Sequence, residues 1–139
     1  MKKFCFLFLV IVGLVSCGKG DQSYIPSVNV KFSSTFADPN LSRLSSPGNA
    51  AIVNGYGIAG LVIYHKLTGG YTAYDRCSSY QPEKKCAVTL DAAGFTVTDP
   101  CSGSKFSLED GSPVKAPATR SLRAYTVTVS NNFNIFVSN

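Results

Sequence analysis

The residues best suited to chemistry are three cysteines in the second half of the chain, Cys77, Cys86 and Cys101. Thiolates bind iron and zinc, whereas in an oxidising compartment thiols pair as disulfides. The sequence holds one histidine, His65, and none of the paired Cys-x-x-Cys spacing that is typical of zinc sites. A zinc site made of the cysteines with His65, and an iron cluster made of the cysteines with Asp99, therefore have little support.

A glycine pattern of the form G-x-G-x-x-G lies at residues 55–60. A dinucleotide site needs a helix that begins at such a pattern, but the apolar run that follows, residues 61–64, is typical of a strand. We therefore interpret these glycines as easing a bend between strands. Serine hydrolase chemistry would need His65 as its base, and the Gly-x-Ser-x-Gly motif is absent from the sequence. No catalytic residue is predicted.

The secondary structure that must position the cysteines can be predicted from the alternation of apolar and polar residues. Its dominant period is two residues. Val28, Val30 and Phe32 alternate with polar residues, as a half-buried strand requires. Only residues 38–44 are suited to a helical turn. The sequence predicts an all-β chain. It indicates three hairpins, which pair residues 61–64 with 71–74, residues 86–90 with 95–98, and residues 122–129 with 133–137.

Residues 99–106 read Asp-Pro-Cys-Ser-Gly-Ser-Lys-Phe. This segment resembles the second cluster-binding box of Rieske iron–sulfur domains, Cys-Pro-x-His-Gly-Ser-x-Phe. The resemblance implies stacked antiparallel sheets or a small barrel, with a cluster-binding-like subdomain inserted at about residues 77–106. The similarity continues downstream at Gly111, Pro117-Ala118, Leu122 and Tyr125.

A Rieske [2Fe–2S] centre is held by two cysteines and two histidines. On the family pattern Asp99 stands at a cysteine position and Ser102 at a histidine position. In the first box, at residues 77–79, Ser79 takes the place of the other histidine, and Cys77 is the ligand that remains. Because a serine hydroxyl is a poor iron ligand, we expect neither a cluster nor another metal at these degenerate positions. The alternative is an electron-transfer protein with an atypical [2Fe–2S] cluster.

The resemblance also implies a disulfide. Cys101 lies where Rieske proteins of the cytochrome bc type carry an extra cysteine, bonded to a cysteine just after the first box. Cys86 is the best candidate for its partner, and a Cys77–Cys101 bridge is the main competitor. A Cys86–Cys101 bridge would close a loop of about fifteen residues. In the chain-entropy model, a disulfide that closes such a loop stabilises the folded state by about 3 kcal/mol. A thiol-redox role for the three cysteines remains a further alternative.

The N-terminus has the pattern of a secretory signal at residues 1–16, with two lysines followed by an apolar run at residues 4–15. That run would rise only about 18 Å as a helix, which is too short to span a bilayer core. Residues 14–17, Leu-Val-Ser-Cys, resemble a bacterial lipobox, which implies that Cys17 is acylated. Gly18 after it resembles lipoproteins that are sent to an outer membrane.

We expect residues 17–27 to form a lipidated tether and residues 28–139 one domain. The formal charge of +5 falls to +3 once Lys2 and Lys3 leave with the signal. Lys84-Lys85 is the only adjacent basic pair that remains, so nucleic-acid binding has little support. The sequence predicts a lipid-anchored envelope protein of the outer membrane that acts as a non-catalytic binding or structural module for an envelope partner.

Overall fold

The computed structural model describes residues 25–131 and 133–139. The predicted signal, Cys17 and most of the predicted tether lie outside these residues. The described elements are β1 (Lys31–Thr35), a 3-10 turn (Ser42–Ser45), β2 (Ala50–Val53), β3 (Leu61–His65), β4 (Tyr71–Asp75), a second 3-10 turn (Pro82–Lys84), β5 (Thr89–Leu90), β6 (Thr96–Thr98), β7 (Lys105–Ser107), β8 (Pro113–Lys115), β9 (Ala124–Val129) and β10 (Asn134–Ser138).

Two antiparallel sheets organise these strands. The large sheet has the order β1-β10-β9-β4-β3-β2, and the small sheet, β5-β6-β7-β8, is inserted between β4 and β9. The edges of the large sheet approach each other, because Phe32 of β1 packs edge-on against Tyr56 beyond β2, with ring centroids 5.2 Å apart. The large sheet is therefore a half-barrel. The predicted all-β class, with stacked sheets and an inserted subdomain, is confirmed.

The three predicted hairpins form as β3–β4, β5–β6 and β9–β10. The middle one is shorter than predicted, since residues 86–88 belong to a loop. β2 has no alternating pattern because Ala50 and Ala51 are both buried, so sequence periodicity did not reveal it. The small sheet continues through Lys115, beyond the end predicted for the inserted subdomain.

Strand β3 explains how the two sheets are joined. Leu61 and Ile63 lie in the core inside the half-barrel, whereas Val62 and Tyr64 lie in a second core on its other face. A strand that is buried on both faces needs apolar residues at every position. This is why the sequence of β3 is a continuous apolar run.

The second core holds the small sheet against the large one. Tyr64 and Tyr74 contribute to it from the large sheet, and Val97 and Phe106 contribute from the small sheet. Gly111 allows this contact, because its φ is +77° and a Cβ there would lie 2.7 Å from Cε1 of Tyr74. The small sheet is thus packed firmly against the half-barrel.

Asp75, at the end of β4, fastens the glycine-rich loop of residues 55–60. It is fully buried, and its carboxylate accepts hydrogen bonds from the N–H groups of Ile58 (2.6 Å), Ala59 (3.2 Å) and Cys77 (2.8 Å). The hydroxyl of Tyr125 donates to it as well, at 2.8 Å. Burial and this contact with Asp75 raise the pKa of Tyr125. The G-x-G-x-x-G loop therefore wraps an internal carboxylate and leads into a strand.

We expect Asp75→Asn to lower the free energy of unfolding by about 2–4 kcal/mol, because the amide group would face N–H donors and leave some of them unpaired. Tyr125→Phe, which removes one donor, is expected to cost about 1 kcal/mol. Urea denaturation at neutral pH measures both losses. Asp110→Asn, at an exposed carboxylate, is the matched control. Equal losses for Asp75→Asn and Asp110→Asn would contradict this role of Asp75.

Candidate functional site

Two loops at one end of the small sheet carry the residues at the cluster-binding positions. We call them the tip loops, and they comprise residues 76–88, before β5, and residues 99–104, between β6 and β7. The first is closed by a hydrogen bond of 2.8 Å from the N–H of Ser78 to the carbonyl of Cys86. The second is closed by the N–H of Asp99, which donates to the carbonyl of Ser104 at 2.8 Å.

A disulfide between Cys86 and Cys101 joins the two tip loops. The Cα atoms lie 6.3 Å apart, and 15 residues separate the two cysteines in sequence. This is the pairing that the family resemblance implies. The competing bridge to Cys77 is not formed, since Cys77 is a free, buried thiol.

Asp99 lies at the centre of the site and is fully buried. Its Oδ2 accepts hydrogen bonds from the hydroxyls of Ser78 (2.7 Å) and Ser102 (2.6 Å), and its Oδ1 accepts one from the N–H of Cys101 (2.8 Å). Burial alone would raise the pKa of this carboxyl group. The hydrogen bonds from Ser102, Ser78 and the backbone outweigh burial, so the pKa of Asp99 lies below its ordinary value. Asp99 is therefore ionised at neutral pH.

The serines around Asp99 form a chain of hydroxyl groups. The hydroxyls of Ser102 and Ser104 lie 2.9 Å apart, and the N–H of Ala118 donates to Ser104 at 2.9 Å. A hydroxyl has one proton, and that of Ser102 points to Asp99. The proton of Ser104 must then point to Ser102. Each of these hydroxyl groups has a hydrogen-bond partner, and the series of hydrogen bonds links the second tip loop to the segment after β8.

Cys77 is the remaining ligand of the family pattern, and its side chain is fully buried. Its sulfur lies 3.5 Å from the carbonyl oxygen of Pro82, an acceptor for the S–H group. Burial and the negative charge of Asp75 raise the pKa of this thiol to about 11. At neutral pH Cys77 is protonated, which is the unreactive form of a thiol.

The remaining ligand position, Ser79, is directed elsewhere. Its hydroxyl donates to the backbone carbonyl of Arg120 at 2.6 Å. Of the degenerate positions, the structure joins Asp99 and Ser102 directly. Ser78, which donates to Asp99, was not among the predicted site residues. Its only sequence signal is a small polar residue inside the first box.

The arrangement does not fit a Rieske cluster, which needs two thiolates and two imidazoles. Asp99 stands at a thiolate position, and its carboxylate offers oxygen where the cluster needs the softer sulfur ligand. Ser79 and Ser102 stand at the imidazole positions, and the protons of both hydroxyls point to protein acceptors. Cys77 would have to bind iron as a thiolate, but burial raises the pKa of its thiol. The residues present stabilise one another and leave no set of ligands for two irons.

His65 takes no part in the tip loops. It ends β3, and its Nδ1 lies 2.8 Å from the carbonyl oxygen of Leu44. A carbonyl can only accept, so Nδ1 carries the proton. The imidazole also stacks on the ring of Tyr71, with centroids 4.3 Å apart. These contacts fasten the first 3-10 turn to the half-barrel.

We expect Asp99→Asn to lower the free energy of unfolding by about 2–4 kcal/mol at neutral pH, because the amide NH2 that replaces one carboxylate oxygen would face a hydrogen-bond donor. The native pKa of Asp99 lies below the value of about 3.9 for an unfolded chain. Its stabilising contribution is therefore complete above that pH and is lost as pH falls through the native pKa. Urea denaturation of wild type and variant should show a difference that narrows in acid. A difference that is independent of pH would contradict this account.

No protein-family model matches the sequence, and no curated protein matches it significantly. Solved structures do match. The plasma membrane Rieske protein PetC3 from the cyanobacterium Synechocystis PCC 6803 superposes with a TM-score of 0.54 at 26% identity, covering 81% of this chain and 100% of its own. The ferredoxin of carbazole 1,9a-dioxygenase from Nocardioides aromaticivorans IC177 superposes with a TM-score of 0.50. It is 18% identical over 80% of this chain and 97% of its own, a likeness of fold alone.

In the part of the chain that the structure describes, no helix combines the length and the apolar composition that a membrane span requires. The two superpositions agree in fold with this all-β chain. They also agree with the motif at residues 99–106. The chain therefore carries a Rieske-like domain, in which Cys77 is the one ligand of the family pattern that remains.

Proposed function

We propose that this chain is a lipid-anchored protein of the bacterial cell envelope, and that its Rieske-like domain is a non-catalytic binding or structural module. The observation that carries the proposal is the hydrogen-bonded network of Asp99. An ionised carboxylate with three donors takes the place of a cysteine ligand. Electron transfer of the Rieske type would need a [2Fe–2S] cluster with two cysteine and two histidine ligands, and the residues at these positions bind one another instead.

The tip loops are the surface that we assign to a protein partner in the envelope. Gln81, Glu83, Pro100 and Cys101 are exposed on them. The disulfide joins the two loops, and Asp99 links them a second time by accepting hydrogen bonds from Ser78 and Ser102. Loops that are rigid before binding lose little conformational entropy when a partner docks, which favours association.

The N-terminal end of the domain supports anchoring through Cys17. Ile25 is buried, and the guanidinium of Arg123 donates to its carbonyl at 3.0 Å and to the hydroxyl of Ser27 at 2.8 Å. The packed part of the described chain thus includes Ile25, within the segment predicted as tether. Residues 18–24 remain between Cys17 and the domain, and seven residues span at most about 25 Å. An acylated Cys17 would hold the domain close to the lipid surface, and Gly18 favours the outer membrane.

The cluster is tested by iron analysis and visible absorption of the whole chain, purified in detergent. We expect a colourless protein with far less than one iron per chain, because the residues at the ligand positions bind one another. The host must load an intact Rieske protein in a parallel preparation, which controls for cluster assembly. Two irons per chain, with a visible absorption that bleaches on reduction, would establish the electron-transfer alternative and overturn the proposal.

The anchor is tested by labelling a bacterial host with a radioactive or clickable fatty acid. We expect wild type to take up the label and to sediment with membranes, whereas Cys17→Ala takes up none, because the acylated thiol is missing. Cys5→Ala is the matched control, since Cys5 lies inside the apolar run and should leave labelling intact. Equal labelling of wild type and Cys17→Ala would show that Cys17 is not the anchor.

A further inference from the structure

We infer that Cys86, Cys101 and Asp99 form a binding site for a thiophilic divalent cation of the zinc class when the disulfide is reduced. The two sulfur atoms and a carboxylate oxygen lie within 4.8 Å of one another. None of the three is the remaining Rieske ligand, Cys77. The site lies within the tip loops that we assign to a partner, and it does not depend on the lipid anchor.

Reduction is the step that would open the site. A dithiol, either of a protein or of a small molecule, gives two electrons and two protons to the disulfide and is itself oxidised to a disulfide. Cys86 and Cys101 become thiols, and a divalent cation then displaces their two protons and binds two thiolates. In the oxidised chain both sulfurs are committed to the S–S bond and offer no thiolate. Binding is therefore confined to the reduced state.

The geometry suits one ion. Zinc bonds are about 2.3 Å to sulfur and about 2.0–2.2 Å to a carboxylate oxygen, so tetrahedral ligand atoms lie roughly 3.5–3.8 Å apart. The Cα atoms of Cys86 and Cys101 are 6.3 Å apart, and rotation about each Cα–Cβ bond can separate the freed sulfurs to that distance. With Asp99 as third ligand, water completes the tetrahedron, as at zinc sites with three protein ligands. Cys101 is exposed, which provides access from solvent.

Asp99 is well prepared to be a ligand. The hydroxyls of Ser78 and Ser102 both reach Oδ2, and the N–H of Cys101 reaches Oδ1. Carboxylates that bind metals are commonly oriented by such hydrogen bonds from an outer shell. Once the cation has displaced the thiol protons, two thiolates and one carboxylate carry three negative charges, and a divalent cation between them offsets most of that charge.

The test uses the whole chain in detergent and Co²⁺ as the probe. Protein is reduced, freed of reductant without oxygen, and titrated with Co²⁺ while thiolate-to-cobalt absorption is followed. We expect one cobalt per chain in the reduced protein and no saturable binding in the oxidised protein. Saturable binding by the oxidised protein, or its absence in the reduced protein, would overturn the inference.

Variants assign the ligands. The double variant Cys86→Ser/Cys101→Ser keeps every other cysteine and the network of Asp99, and should bind no cobalt in either redox state. Cys77→Ala should bind as wild type does. Asp99→Asn should weaken binding about tenfold or more. Binding by the double variant, or loss of binding in Cys77→Ala, would contradict the assignment.

The matched control for Asp99→Asn is Asp91→Asn. Asp91 directly follows β5, as Asp99 directly follows β6, and it accepts hydrogen bonds from the hydroxyls of Thr96 and Thr98, each at 2.6 Å. We expect it to bind cobalt with unchanged affinity. Circular dichroism verifies that each variant is folded. If Asp99→Asn does not fold, the double cysteine variant alone tests whether the cation binds at this site. Equal affinities of wild type and folded Asp99→Asn would remove Asp99 from the site.

Discussion

A buried negative charge must be compensated, and Asp99 imposes that requirement on the whole tip of this protein. Its carboxylate has no contact with water, so protein donors must replace the hydrogen bonds of hydration. Two serine hydroxyls and one backbone N–H do so. Through them, the first box, the second tip loop and the disulfide are bound into one unit.

A second buried carboxylate, that of Asp75, plays the same role at the start of the first tip loop. Asp75 ends β4 and accepts the N–H of Cys77, two residues later, just as Asp99 follows β6 and accepts the N–H of Cys101. An aspartate that binds the backbone two residues further on is a common turn motif. Both tip loops therefore begin with the same turn. The two buried carboxylates therefore fix the first turn of each tip loop.

Regular elements were largely predictable from local sequence. The run at β3 and the alternation near Phe32 indicated strands, and the spacing of turns indicated the hairpins. The contacts of Asp99 were less accessible, because Ser78 meets it only through the pairing of distant loops, a tertiary event without a local pattern. The short strands β7 and β8 also escaped the sequence analysis. Strands of three residues have too few positions to show a period.

The closed network around Asp99 limits which substitutions the tip loops can accept. A cysteine at position 99 alone would leave the hydroxyls of Ser78 and Ser102 facing sulfur, a weak acceptor. A histidine at position 102 alone would place a ring where a hydroxyl now fits. Each single substitution towards the family pattern therefore lowers stability before a ligand set is complete, so an engineered cluster site requires several substitutions together.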